Sequence, residues 1–257
     1  MMLTLMLYAR LLMLLTFVVT VMLLSACATS IPTYPQTPAD TVLQSVAANF
    51  TSIKTVSGPC RVTLVSEAGE SITLSAAIAA RPPDHLRLRA WKFDRAIFDA
   101  TIIGVDVWLV PIAQADSPGA DALPQIPSHE IAGSMSLLSG QYFNDAHIVS
   151  ETAEIVTVTG SSRELAAIEC DIDRRTRTPR IFRFTQLNQP GTLASTLLMD
   201  EYRFLKLKGN TPPLTWPGRL HFERGAASIT IFMDDVVIND ELPQTAFKPP
   251  ARAVKQQ

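Results

Sequence analysis

From Cys60 to Val237 the apolar residues recur at every second position in one short run after another, and that period commits most of the chain to extended structure. Cys60, Val62 and Leu64 alternate with Arg61, Thr63 and Val65. Glu67-Ala68-Gly69-Glu70 turns the chain, and Ile72, Leu74, Ala76 and Ile78 alternate again, which predicts a hairpin. Pro82-Pro83 interrupts it. Leu86, Leu88 and Ala90 then share one face, with Arg87 and Arg89 on the other. Further strands are predicted at 96–103, 107–110, 154–159, 164–171, 180–186, 193–205, 217–224 and 228–237, with a turn at Asn188-Gln189-Pro190-Gly191. Short strands joined by tight turns assemble as an antiparallel sheet, here of about nine to eleven strands in one domain. Eighteen prolines against eleven glycines, with 18% charged residues, suit such strands better than long amphipathic helices.

Two helices are predicted beside the sheet. Asp40, a candidate acidic cap, precedes Val42, Leu43, Val46, Phe50 and Ile53, one apolar stripe over 40–53. Ser128 opens a shorter one over 128–138 with Ile131, Met135 and Leu138. Between 112 and 127 the chain is rich in Ala, Asp, Gly and Pro and reads as a mobile surface loop. The last residues, 251–257, read as a frayed tail.

Residues 1–26 have the character of a targeting segment. Leu11 to Leu24 carries no charge and no proline, behind a segment whose only charge is Arg10. The run is shorter than the roughly 20 apolar residues that span a bilayer, unless Met1 to Tyr8 joins it, so a transmembrane anchor is the runner-up. Leu24-Ser25-Ala26-Cys27 resembles the bacterial lipobox at all four positions. The resemblance implies a diacylglyceryl group on the Cys27 thiol and cleavage before it; an ordinary secretory signal with an incidental Cys27 is the alternative. Position 28 is Ala and not Asp, which by the same resemblance implies the outer membrane, with the domain facing the periplasm. Residues 27–38, with Pro32, Pro35 and Pro38, read as a lipidated linker, and 39–250 as the domain.

Removing Arg10 with the leader leaves 21 basic against 24 acidic residues, a formal charge of −3 and no basic footprint for nucleic acid. His85, His129, His147 and His221 are isolated along the chain, none at metal-ligand spacing with another His, Cys or carboxylate, and no nucleophile elbow, phosphate-cradling glycine loop or Cys-x-x-Cys occurs. No catalytic residue, metal or cofactor is therefore expected. Cys60 and Cys170 lie in apolar runs where a free Cys behaves as a small hydrophobe, although an oxidising periplasm would permit a disulfide.

Two surface features stand out. Arg174-Arg175-Thr176-Arg177 precedes Pro179 at a hairpin corner, either a solvated turn or a patch for anionic headgroups. Trp91 and Phe93 flank a turn where Gly, Asn or Asp would be usual; they either fold back onto the core or stand exposed.

Pro83-Asp84-His85-Leu86-Arg87-Leu88-Arg89 followed by Asp106-Val107-Trp108-Leu109 resembles the LolA-like and LolB-like lipoprotein carriers. So do Asp171-Ile172-Asp173 with Thr178-Pro179-Arg180, Trp216-Pro217, Leu242-Pro243 and Phe247-Lys248-Pro249-Pro250, so that the likeness covers nearly all of the mature chain. It implies a mainly β fold, an unclosed and strongly curved antiparallel β-barrel with helices across its mouth. It also implies an apolar cavity for acyl chains of lipoproteins or lipids, delivered by a soluble periplasmic carrier and passed to the outer membrane. In LolB-like proteins an apolar residue protrudes from the turn between two early strands, and Phe93, two residues after Trp91, occupies the matching place. The usual Pro-Leu-Gly-like turn is missing, and 112–127 is an insertion. The competing reading is a non-catalytic envelope scaffold whose barrel its own side chains fill. Aromatics are 7% of the chain, which leans towards the cavity. A triacylated protein exposes roughly 40 methylenes at ~0.8 kcal/mol each, so its chains cannot cross water unshielded.

Overall fold

One antiparallel sheet runs through most of the chain, and its cross-strand pairs keep the period-two faces in register. The computed structural model describes residues 37–104, 106–111, 137–160, 167–186, 189–205 and 213–255. The strands are β1 (Val56–Val65), β2 (Ser71–Arg81), β3 (His85–Lys92), β4 (Arg95–Ile103), β5 (Asp106–Pro111), β6 (His147–Glu151), β7 (Ile155–Gly160) and β8 (Ala167–Asp173). They continue with β9 (Thr178–Gln186), β10 (Gln189–Asp200), β11 (Arg203–Leu205), β12 (Leu214–Trp216), β13 (Arg219–Arg224), β14 (Ala227–Phe232), β15 (Val237–Ile238) and β16 (Val254–Lys255). Helix α1 is Ala39–Thr51 and α2 is Gln141–Asp145; Gln244–Phe247 forms a 3-10 turn.

Among the described residues the sheet has 14 strands, in the order β16-β5-β4-β3-β2-β1-β14-β13-β10-β9-β8-β7-β6, with β15 added to β1. Its two ends do not pair, so the sheet is an unclosed, curled barrel, as expected. The strand number exceeds the expected nine to eleven because short pieces such as β15 and β16 carry too few residues to show a period. One inner-face row crosses eight strands as Val158, Cys170, Phe182, Leu197, Phe222, Ile229, Leu64 and Ile72, each the cross-strand partner of the next.

Helix α1 buries Val42, Val46 and Phe50, spaced four apart, against this face. Its cap is Pro38 and not Asp40, which stands in the first turn where a carboxylate favours the helix dipole. Connections alternate between two ends of the strands. The 66–70, 93–94 and 225–226 turns lie at one, the Phe93 end. The 82–84, 152–154 and 174–177 turns lie at the other, the helix end, where α1 also begins and finishes: Arg174 donates to the Thr37 carbonyl oxygen at 3.2 Å, and Thr51 leads into β1.

Several boundaries differ from expectation. β1 starts at Val56 and contains Pro59, which pairs with Ala77 of β2 on one side; on the other, β15 reaches only residues 56–57 and β14 begins at 61, so the ladder has a gap there that tolerates a proline. The strand expected over 193–205 breaks after Asp200, where Glu201 has φ +53°, and β11 leaves to pair with β12. The 251–257 tail is not wholly frayed: Val254 and Lys255 pair with Leu109 and Trp108, and Lys255 meets Asp106 at 2.7 Å. Helix α2 and strand β6 were not expected at all. The targeting segment with Cys27, the linker to residue 36, the 112–127 loop and most of the 128–138 helix lie outside the described residues, although Leu137 and Leu138 are buried.

Candidate functional site: the Phe93 turn and the inner face

Strands β3 and β4 are joined by two residues, Phe93 and Asp94, with φ of +49° and +62°. Positive φ at both central positions is the type I′ hairpin turn, which fits the twist of the flanking strands and normally takes Asn-Gly. A bulky residue in that region is an outlier costing roughly 1–2 kcal/mol. Phe93 is nonetheless 88% exposed, so no burial offsets the strain. Directly across the turn, Lys92 and Arg95 are cross-strand partners, and like charges so placed repel. Lys92 Nζ lies 5.7 Å from the Phe93 ring centroid. An exposed ring, a strained backbone and opposed cations each weaken the isolated fold, and an apolar surface bearing anions would relieve all but the backbone strain.

Trp91 stands elsewhere. It is half-buried within β3, opposite Ser75 and Ala96, and the register shifts between it and Ala90. Trp91 therefore lies at the base of the hairpin and Phe93 at its tip. The structure does not bring the two rings together as one exposed pair.

At the helix end the inner face is filled by rings. Phe50 lies 5.7 Å from Phe143 and 6.4 Å from Trp216, and Phe143 lies 6.0 Å from Phe182. Tyr142 packs on Phe143 and Phe182 and donates to the Ile168 carbonyl oxygen at 2.8 Å. Gly140 permits this approach: with φ +76°, a Cβ there would sit 2.7 Å from the Thr51 nitrogen and 2.9 Å from the Ala47 carbonyl oxygen. Asn49 ties α1 to β12 through the Thr215 backbone. Towards the Phe93 end the same face carries the half-buried side chains Ile72, Phe222 and Ile229. The Tyr142-Phe143 pair was the available sequence signal for the plug, two adjacent rings in an otherwise polar stretch.

The Arg174–Arg177 run does not form a four-residue basic patch. Arg174 is buried, with Nη2 2.6 Å from Glu151. Asp173 receives the Arg175 and Thr176 N–H groups, so the turn is held by its own carboxylate. Cys60 and Cys170 are free thiols; burial pushes the Cys60 thiol up to about 12 and the Cys170 thiol well above its usual range. Burial likewise raises the Tyr142 hydroxyl, with smaller contributions from Cys170 and Glu169. Among the described residues no group of three His, Cys, Asp or Glu side chains could hold a metal, and no helix is long and apolar enough to cross a membrane.

No family model and no curated protein sequence matches the chain. Solved structures do. An outer membrane lipoprotein-sorting protein domain, so described, from Vibrio parahaemolyticus matches with a TM-score of 0.55 at 13% identity, over 82% of this chain and 97% of that one. A LolA superfamily protein from Nitrosomonas europaea matches with a TM-score of 0.53, also at 13% identity and over the same shares of the two chains. This chain has the LolA-like fold. A DUF1329 family protein from Desulfovibrio piger shares it too, with a TM-score of 0.56 at 9% identity over 82% of this chain and 97% of its own. The LolA-like fold accounts for the unclosed sheet and the helix across one end. At these identities it speaks for the architecture, and the chemistry must be argued from the residues.

Proposed function

We propose that this protein is a non-catalytic outer-membrane lipoprotein, anchored through Cys27, that receives acyl chains of lipoproteins or lipids on the inner face of its sheet and helps insert them in the membrane. The observation that carries the reading is the Phe93 turn, an 88% exposed ring held at positive φ between two opposed cations. At a bilayer surface the ring would gain burial while Lys92 and Arg95 reach anionic headgroups. The half-buried row Ile72, Ile229 and Phe222 at the same end supplies apolar surface next to that contact. The LolA-like fold supports the reading, because a curved sheet with one apolar face can shield chains without a reacting group. A soluble periplasmic carrier is the delivering partner that the reading requires.

The filled-barrel scaffold is the less favoured alternative, since the aromatic plug is built from residues at the helix end while the row near Phe93 remains half-buried. The deciding experiment is Phe93→Glu in a lipoprotein-transfer assay with liposomes. Transfer should fall with the melting temperature unchanged. Full transfer by a stably folded Phe93→Glu protein would remove the turn from the mechanism, and absence of acyl-probe binding by the wild type would favour the scaffold.

A further inference from the structure

On the outer face at the helix end, Arg81 on β2, His85 on β3 and Ile103 on β4 form a cross-strand row. The C-terminal segment crosses over it. Phe247 is buried there, with its ring 5.2 Å from the His85 ring and 5.1 Å from the Arg81 guanidinium carbon. Arg81, His85, Ile103, Gln244, Phe247 and Lys248 surround a cavity of about 370 Å³. Three nitrogen bases thus line one hollow.

Five arginines elsewhere make the contrast, although Arg61, exposed and 5.1 Å from the Phe232 ring centroid, likewise has no carboxylate partner among the described residues. Arg87, Arg174, Arg183, Arg203 and Arg219 each hold a carboxylate. Among the described residues Arg81 has no carboxylate partner; its contacts are the Phe247 ring and the Leu242 carbonyl oxygen at 3.4 Å. Lys248 has no ion pair among them either. Two acids are nearby: Asp106, the next residue of the row beyond Ile103, is paired with Lys255, and Asp84 engages His85 Nδ1 at 2.7 Å and leaves Nε2 as the ring's other polar atom. A half-buried guanidinium with spare N–H donors, a compact ammonium and an oriented imidazole match the oxygens of a tetrahedral oxyanion.

We propose that this cavity binds a phosphate group, at the end of the sheet away from Phe93 and independently of acyl binding. The group could be carried by a soluble phosphate compound or by a phospholipid headgroup, and the experiment separates the two. Inorganic phosphate is titrated calorimetrically into the full chain in maltoside micelles. Wild-type protein should bind, Arg81→Gln and Lys248→Gln should each bind at least about tenfold more weakly, and Arg175→Gln should bind as wild type does. Lys248 is exposed, so its variant tests the site even if Arg81→Gln disturbs the fold. Binding to phosphatidylglycerol vesicles that inorganic phosphate displaces in wild type, and that Lys248→Gln lacks, would assign the headgroup source. Phosphate binding that leaves vesicle binding unaltered would assign the soluble one. No phosphate binding by wild type, or wild-type affinity in both cavity variants, overturns the proposal.

Discussion

Asn49 on α1 closes a two-bond clasp on the backbone of Thr215 in β12: its Nδ2 donates to the Thr215 carbonyl oxygen and its Oδ1 accepts from the Thr215 N–H, each at 2.8 Å. The side chain imitates a strand neighbour and gives β12 a ladder contact that no strand supplies on that side. Asn49→Ala leaves both backbone groups unpaired in a half-buried place. The expected loss is about 2 kcal/mol, read as a lower urea midpoint with unchanged slope.

The plug behind the clasp should be more costly to open. Phe50 is 1% exposed and touches both Phe143 and Trp216. Phe50→Ala should destabilise by about 3–5 kcal/mol, whereas Phe50→Leu should lose less than half of that. Equal effects would show that the ring contacts, rather than the buried volume that Leu retains, carry the contribution.

Stability and function should part company at the β3–β4 turn. Phe93→Gly removes the positive-φ penalty and an exposed ring together, so the melting temperature should rise by an amount worth about 1 kcal/mol. If the ring works at a membrane, the same variant should transfer less. A protein stabilised and undiminished in transfer would identify the strain as incidental.

A pH effect follows from the outer face. Burial pushes the Asp171 carboxyl upward, but hydrogen bonds from Arg183 and Thr157, with the charges of Arg183 and Arg180, outweigh it and hold the group below its usual value. A carboxyl lowered in the folded state contributes stability above its unfolded value of about 3.9 and loses it as the pH falls through the folded value. Stability should therefore decline on acidification from pH 5 to pH 2, less steeply in Asp171→Asn. A parallel decline would place the proton uptake elsewhere.

The half-buried Cys60 and the buried Cys170 should both be silent. With burial raising Cys60 to about 12 and Cys170 well above its usual range, neither carries appreciable thiolate at pH 8. A folded Cys27→Ser protein should show almost no reaction with an aromatic disulfide reagent, and two equivalents on adding guanidinium. Fast reaction of Cys60 in the folded state would mean that β1 opens locally, and of Cys170 that β8 does.

What could be seen in advance was whatever repeats. The alternation in β1 to β4 and in β7 to β9 fixed both the strands and their buried faces, because a one-residue slip would expose Leu74, Leu88 or Ile168 together with their whole rows. Short pieces were invisible: β16 is two residues long, and pairs with β5 only because the C-terminal segment has first crossed the outer face. The turn at Phe93 could be located but its exposure could not, since a ring beside a turn can as readily fold inward. The plug was missed because Phe50, Tyr142, Phe182 and Trp216 come from four distant stretches that only the curled sheet and its helices collect.

The entry point of the chain has a consequence for reach. Thr37 is held at the helix end by Arg174, while Phe93 stands at the other end of strands eight to eleven residues long, about 30 Å away. Ten residue steps separate Cys27 from Thr37, a contour of at most about 35 Å. A lipid on Cys27 could therefore share a bilayer with Phe93 only when almost the whole leash is paid out alongside the domain. Deleting three linker residues would leave Cys27 in place and put the Phe93 turn out of range of any bilayer that held a lipid on it.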